Sequence, residues 1–140
     1  MEWKEALPLL QENHIGVAIS ITPKGRAQST VVATAVLDGK VGFASRPRTV
    51  KVKNIQRTGR AAVTVIKLEN KRYVTVEGLA SIEPWQDTAK HIKRLKDFYV
   101  AMDRGPKGTD EQFTQQMREE ERTLVLVTPE RIYGSLRTGA

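Results

Sequence analysis

The dipeptide Asp38-Gly39 constrains the fold of this chain more than any other short feature of its sequence. It separates two runs of β-prone residues, 27–37 and 40–45. An Asp-Gly pair is the strongest short-range signal for a two-residue hairpin, because both residues tolerate the positive φ angles of that turn. The two runs are therefore predicted to be neighbouring antiparallel strands.

Other segments also have the patterns of β-strands. Residues 16–22 alternate Val, Ile and Ile with Ala, Ser and Thr, the period-2 pattern of a strand with one buried face. Turn residues at 23–26 and 69–71 separate further runs. The chain is therefore predicted to form six strands. Besides 16–22, 27–37 and 40–45, they cover residues 61–66, 72–83 and 123–128. The last of them continues beyond Pro129 as residues 131–134. In 72–83, Gly78 marks a place where a barrel strand bends or bulges.

Helices are predicted around and between these strands. An amphipathic helix is expected within residues 3–13, with its regular part starting near Ala6 because Pro8 is unfavourable in mid-helix. A second helix follows residue 49 and ends at Gly59. Two more occupy the segment between the last two strand regions, one before and one after a break at residues 105–108. Hairpin turns without regular βαβ alternation favour a small closed or partly closed β-barrel.

Composition fits one globular domain spanning residues 1–140. The chain is 39% hydrophobic and 28% charged, and it contains no cysteine. Disulfides, thiolate metal sites and cysteine nucleophiles are therefore excluded. The acidic start is unlike a signal peptide, and no apolar run approaches membrane-spanning length. We expect a cytoplasmic protein that does not associate with membranes.

The net charge of +7 favours partners that carry negative charge. A nucleic-acid-binding β-barrel module without enzymatic activity is one interpretation of this charge. Aromatic residues make up only 6% of the chain, however, and they are not interleaved with arginines along the β-runs. Such interleaving is typical of surfaces that stack single-stranded bases, so we expect no nucleic-acid partner and favour a small anionic ligand.

Residues 43–54 form the most strongly basic stretch of the sequence, at the point where a β-run leads into a predicted helix. Four of its side chains are cationic: Arg46, Arg48, Lys51 and Lys53. Unpaired N–H groups at the start of a helix attract anions, and the hydroxyls of nearby serine and threonine add donors. A solvated basic helix start is the alternative interpretation of the same residues.

Several common chemistries have no support in the sequence. Neither the G-x-G-x-x-G pattern of dinucleotide-binding folds nor the G-x-x-x-x-G-K pattern of P-loops is present. The two histidines, His14 and His91, are far apart, so we predict no metal site and no Ser-His-Asp triad. No residue is assigned as a catalytic acid or base.

Four segments together resemble the split β-barrel flavin and deazaflavin oxidoreductases, a superfamily that includes the pyridoxamine-phosphate-oxidase-like proteins. They are the turn at 23–26, the Asp-Gly hairpin, Lys-Val-Lys-Asn at 51–54 and Arg-Tyr-Val-Thr-Val-Glu-Gly-Leu-Ala at 72–80. The likeness extends over residues 10–134 and is greatest to the reductases that use the deazaflavin coenzyme F-420. It implies a mainly β fold with flanking helices, a six-stranded antiparallel split β-barrel.

The resemblance also implies a function and a site. It implies an oxidoreductase that forms a homodimer, holds coenzyme F-420 in a groove between the subunits and transfers hydride to a conjugated small-molecule acceptor. FMN is the alternative cofactor, because many relatives have arginine where this chain has Thr49. The proton donor stays open between solvent, Arg46 and a bound water. The cofactor-binding residues that the resemblance implies are Gln28, Ser29, Thr30, Val31, Val32, Ser45, Arg46, Thr49, Lys51, Asn54, Val65 and Ile66.

Overall fold

The computed structural model describes residues 1–103, 105 and 108–137. The predicted break at residues 105–108 therefore lies partly outside the described residues. A short 3-10 helix, Glu69–Lys71, accompanies the main elements. In chain order these are α1 (Trp3–Glu12), β1 (Ile15–Ile21), β2 (Ala27–Ala33), β3 (Ala35–Leu37), β4 (Lys40–Ser45), α2 (Val50–Thr58), β5 (Arg60–Lys67), β6 (Arg72–Glu83), α3 (Ala89–Ala101), α4 (Asp110–Glu120), β7 (Thr123–Val127) and β8 (Arg131–Ser135).

All of these strands belong to one curled antiparallel sheet. Its order is β2-β1-β5-β6-β7-β4-β3, and β8 pairs with β6. The first and last strands of this path, β2 and β3, are consecutive in sequence and separated only by Thr34. The two ends of the sheet therefore approach each other, as in a split barrel.

The prediction of six strands is wrong, since the described residues form eight. The single strand expected over residues 27–37 is divided at Thr34, whose backbone N–H donates to the carbonyl of His14 at 2.9 Å. That bond ends the pairing of β2 with β1, and the chain turns to pair with β4 as β3. The strand expected over residues 123–134 is likewise divided at Pro129 into β7 and β8.

A bulge joins β7 to β8 opposite Gly78. Ala80 pairs with Val127 and Glu77 with Arg131, so three residues on one side face two on the other. An added Cβ at Gly78 would collide with the carbonyl oxygen of Thr128. Glycine is therefore required because the bulged backbone passes against it, and the bulge lies in the facing strand rather than in β6 itself.

The first strand buries its small side chains rather than its large ones. Gly16, Ala18 and Ser20 face the interior of the sheet, whereas Ile15 and Ile21 are exposed. The cause is helix α2, which packs against the inner face of β1 and leaves little space there. The larger side chains therefore form part of an apolar outer surface.

Helix α1 begins at Trp3, not near Ala6, and continues through Pro8. Pro8 has no backbone N–H to donate to the carbonyl of Lys4, four residues earlier. Both residues are exposed, so water can bond to that carbonyl instead. Helix α2 ends as predicted, with Gly59 in the left-handed conformation at φ 70°. No helix among the residues described is long and apolar enough to cross a bilayer.

Two apolar clusters hold these layers together. The first fills the curled sheet and includes Phe43, Ile55 and the inward valines of β5 and β6. The second lies between the helices α3 and α4 and the strands β3, β4 and β7. The helical segment between β6 and β7 therefore packs on the outside of the sheet, beside the turn from β4 into α2.

Candidate functional site

A groove of about 300 Å³ runs between the edge strand β2 and the turn from β4 into α2. Helix α3 and the residue before β7 close its remaining side. The groove is therefore assembled from segments distant in sequence. Its lining consists of Val31, Val32, Ala33, Ala44, Ser45, Arg46, Thr49, Lys51, Phe98, Tyr99, Met102 and Arg122.

The turn at residues 45–49 is organised by two hydroxyl groups. Thr49 is the N-cap of α2, and its Oγ1 accepts a hydrogen bond from the backbone N–H of Val52 at 3.4 Å. Ser45 Oγ donates to the carbonyl of Arg46 at 3.0 Å and lies 3.0 Å from Thr49 Oγ1. Because Ser45 Oγ donates its proton to the carbonyl of Arg46, Thr49 Oγ1 is the donor in its contact with Ser45 Oγ. Both hydroxyls lie at the start of α2, where its first N–H groups are available to an anion.

Lys51 is the most unusual ionisable group in the groove. The residue is only 9% exposed, and no described carboxylate lies within ion-pair distance of its ammonium group. Burial lowers the pKa of Lys51, and the positive charge of Arg122 lowers it further. A buried cation without a partner is unfavourable unless an anion binds beside it.

Arg122 brings a further positive charge to the groove. Its Nε donates to Glu120 Oε2 at 2.7 Å, and its Nη1 donates to the carbonyl of Ala44 at 3.3 Å. Burial by itself would raise the pKa of Glu120, but hydrogen bonds from Arg122 and Gln116 lower it. Arg46, at the groove's edge, is exposed. The groove thus carries a net positive charge.

The α3 side of the groove is apolar and rigid. It presents Phe98, Tyr99 and Met102, and the Tyr99 ring makes edge-to-face contacts with Phe98 and Phe113 at centroid distances of 5.6 and 5.9 Å. Burial raises the pKa of the Tyr99 hydroxyl, so it stays protonated at neutral pH. Of the three, Tyr99 exposes the most surface to the groove, since Phe98 and Met102 are only 1% and 3% exposed.

The structure brings some of the sequence-predicted residues into this groove and places the others elsewhere. Val31, Val32, Ser45, Arg46, Thr49 and Lys51 line it. Gln28, Ser29 and Thr30 lie further along β2, where Gln28 bonds to Ser20 and Thr30. Asn54 lies on α2, where it is buried against β1 and bonds to Ser20 and Arg57. The side chain of Val65 is fully buried in the core, and Ile66 is half-buried on β5.

Other lining residues were missed by the sequence analysis: Ala44, Phe98, Tyr99, Met102 and Arg122. The helical stripe that contains Phe98, Tyr99 and Met102 indicates packing, and nothing in that pattern distinguishes a groove wall from a core. Arg122 is one basic residue in a charged segment, and its sequence position carries no signal. As for metals, no cluster of three or more His, Asp or Glu side chains suited to a metal ion occurs within the described part of the chain.

Comparison with known proteins identifies the family. The sequence profile of the pyridoxamine 5'-phosphate oxidase family matches residues 3–135, which is nearly the whole chain. This chain belongs to the pyridoxamine 5'-phosphate oxidase family. A search of curated proteins found no sequence with significant similarity to this chain.

Solved structures of other proteins share the split-barrel fold of this family member. A conserved hypothetical protein from Mycobacterium tuberculosis has a TM-score of 0.76 at 20% sequence identity, and the alignment covers 96% of this chain and 84% of that protein's chain. An F-420 reductase has a TM-score of 0.66 at 23% sequence identity, and the alignment covers 90% of this chain and 94% of the reductase. An FAD-binding protein from Mesorhizobium loti has a TM-score of 0.68 at 16% identity, covering 96% and 94%.

The family and its fold fit the resemblance inferred from the sequence. A split-barrel fold of the flavin-binding type is present, and an F-420 reductase is among the proteins that share it. At these identities the likeness establishes the fold alone. The choice of cofactor therefore has to be argued from the groove.

Proposed function

We propose that this protein is a cytoplasmic oxidoreductase that binds coenzyme F-420 in the groove and transfers hydride to a conjugated small-molecule acceptor. The observation that carries the proposal is the buried, unpartnered Lys51 beside Ser45 and Thr49 at the start of α2. A phosphate group would satisfy the lysine, the helix N–H groups and, after rotation, the hydroxyls. The F-420 reductase that shares the fold supports this choice of cofactor.

The edge of β2 supports binding of a flavin-like ring. Within the described part of the chain this strand pairs with β1 alone, so its other edge presents backbone N–H and C=O groups beside the groove. The ring of a flavin or deazaflavin carries both donors and acceptors along one edge, which a strand edge can match. Small side chains at Ala33 and Ala44 leave space for a flat ring.

The remaining residues orient the bound group and exclude water from it. When bound, the deazaflavin supplies the hydride, and this chain supplies position and electrostatics. Lys51 and Thr49 would hold the phosphate, whereas Arg46 and Arg48 are exposed before α2 and would attract an acidic tail.

A homodimer is the second part of the proposal. On the outer face of the sheet Ile15, Ile21 and Val31 are 51%, 43% and 72% exposed. Large exposed apolar patches on one face mark protein–protein contacts, and a second copy of the same face is the simplest occupant. Because Val31 also lines the groove, a partner bound there would form part of the site.

Titration of the purified protein tests the proposal. Coenzyme F-420, FMN and a fluorescently labelled oligonucleotide would be added separately at moderate salt, with ring fluorescence or oligonucleotide anisotropy as the readout. We expect quenching of F-420 fluorescence at lower protein concentrations than for FMN. Tighter binding of FMN would favour the alternative cofactor. Binding of the oligonucleotide alone, lost as salt is raised, would contradict an oxidoreductase.

A further inference from the structure

Arg122 has hydrogen-bonding capacity that the protein itself does not use. Its side chain is 26% exposed and lines the groove. Nε and Nη1 bond to Glu120 and Ala44, but Nη2 makes no hydrogen bond to any described residue. A guanidinium has several N–H donors in a planar fork that matches a carboxylate. Arg122 can therefore bind an anion without giving up its contact with β4.

The backbone of Arg122 is held in place from α3. Its carbonyl accepts a hydrogen bond from Nε2 of His91 at 2.9 Å, which requires the proton on that ring nitrogen. His91 is buried at 6% exposure, and Trp85 contacts its ring edge-to-face at 5.5 Å. The guanidinium thus extends into the groove from a rigid support, as a binding residue requires.

Tyr99 provides a second donor close to Arg122. Its hydroxyl makes no hydrogen bond to any residue in the described ranges, although the ring is fixed by Phe98 and Phe113. The charges of both Arg122 and Glu120 act on that hydroxyl. The groove therefore offers two donors that have no partner among the described residues, Nη2 of Arg122 and the Tyr99 hydroxyl, beside the partly exposed Tyr99 ring.

We propose that Arg122 and Tyr99 form an acceptor subsite that binds the carboxylate of a flat, conjugated molecule, whose apolar body packs on the exposed part of the Tyr99 ring. This inference rests on the proposed function, in which Lys51 and Thr49 hold the phosphate of the cofactor. Glu120 is an internal competitor, since its carboxylate already bonds to the Arg122 guanidinium in the free protein. The substrate class that follows is a conjugated carboxylic acid.

Binding of cinnamate and of its uncharged methyl ester tests the subsite without turnover. Titration calorimetry on the full chain, with and without oxidised cofactor, should show tighter binding of cinnamate than of the ester. Arg122→Gln should weaken cinnamate binding about tenfold, the loss of a charge-assisted bond, and leave ester binding unchanged. Arg122→Lys, which keeps the charge, should restore part of the affinity.

Two further variants sharpen the test. Arg118→Gln removes an exposed arginine that pairs with Asp87 outside the groove, so it should change nothing. Glu120→Gln removes the competing carboxylate and should increase affinity for cinnamate but not for the ester. A thermal midpoint close to that of the wild type would show that each variant is folded.

Several results would overturn the subsite. They are equal affinity of the wild type for cinnamate and its ester, no binding of either, or equal losses in Arg122→Gln and Arg118→Gln. Loss of cofactor affinity in Arg122→Gln would instead assign Arg122 to the phosphate. Cinnamate binding through Arg122 in a protein that binds neither F-420 nor FMN would leave the subsite standing and contradict the proposed function.

Discussion

At the scale of single residues, the environment of Lys51 separates it from the other lysines and arginines of the basic stretch. Lys53 lies on the same helix and is exposed, as is Arg48 before it. Lys51 points into the groove beside Arg122 and has no counter-ion among the described residues. The same residue type therefore acts as a solvated charge at one position and as an anion-binding group two residues away.

Replacing Lys51 should weaken cofactor binding without unfolding the protein. We expect Lys51→Ala to reduce the affinity for coenzyme F-420 by about 1 to 3 kcal/mol, the range for a lost charge-assisted hydrogen bond. Lys53→Ala is the matched control, because it removes the same charge from the solvent side of α2. Fluorescence quenching measures both. Equal losses in the two variants would mean that general charge, not the groove, determines the affinity.

The pH dependence of stability provides a second test at Lys51. Its pKa lies below the ordinary value of 10.5, so the folded state binds this proton more weakly than the unfolded state does. Below the lowered pKa, the charged Lys51 therefore reduces the free energy of unfolding. This destabilisation disappears as the pH rises from the lowered pKa towards 10.5. Lys51→Met should be about 1 kcal/mol more stable than the wild type at neutral pH.

Urea unfolding without added anions, at a series of pH values, measures this difference. The difference in unfolding free energy between Lys51→Met and the wild type should shrink as the pH is raised. Lys53→Met should show no such trend, because Lys53 is exposed. A Lys51→Met protein no more stable than the wild type at pH 7 would contradict the assignment of Lys51 as a strained cation.

At the scale of elements, Arg94 attaches the helical segment to the sheet. From α3 it donates to both carboxylate oxygens of Glu83, at 2.9 Å each, and lies 2.7 Å from Asp38 in the β3–β4 turn. The hydrogen bonds from Arg94 lower the pKa of Glu83. Since α3 forms one wall of the groove, this contact helps to position the site.

Arg94→Met should destabilise the protein by about 1 kcal/mol at pH 7, a modest value because all three groups are partly exposed to solvent. Glu83 has a lowered pKa in the folded state, so its contribution is present above its unfolded pKa near 4.5 and is lost as pH falls through the lowered value. The difference in unfolding free energy between the wild type and Arg94→Met, measured with urea, should therefore be smaller at about pH 3 than at pH 7.

Lys93→Met is the control for Arg94, because Lys93 lies on the same helix in an exposed pair with Asp97. It should change stability by a few tenths of a kcal/mol at most. An Arg94→Met effect that is the same at both pH values would show that the ion pair does not contribute and that only packing was lost.

At the scale of the whole molecule, one face of the curled sheet is not covered by any of the residues that the structure describes. That face includes the outward side chains of β1 and β2, and the groove opens beside it. Because Val31 belongs to both, occupancy of the face and occupancy of the groove should be linked. The proposed homodimer and the proposed cofactor site are thus one testable unit.

Ile21→Asp places a charge on this face and should convert a dimer into a monomer. Light scattering coupled to size exclusion measures the mass, and we expect about half the wild-type value, with weaker cofactor binding because the partner no longer contributes to the groove. Val100→Asp is the control, since Val100 is 53% exposed on α3, away from the sheet. A wild type that is monomeric at all concentrations would contradict the proposal.

Local sequence signals predicted much of the fold. Asp38 and Gly39 adopt φ angles of 56° and 69°, as the hairpin prediction requires. Helix α4 follows the predicted break, and it begins at a capping box formed by Thr109 and Gln112. The predicted bounds of β6, residues 72–83, are those observed. The strand count was wrong because Thr34 and Pro129 divide runs that are continuous in sequence, and only pairing with other strands reveals such a division.

Local sequence was enough to predict the hairpin turns, most of the strand segments and the position of the cationic turn before α2, because each depends on residues within a few positions of one another. The tertiary structure alone decided which side chains form the groove, since Val31, Lys51, Tyr99 and Arg122 come from four segments that only the curled sheet brings together. It also decided that Lys51 is buried and Lys53 exposed, because burial depends on what packs against a helix and not on the residues within it.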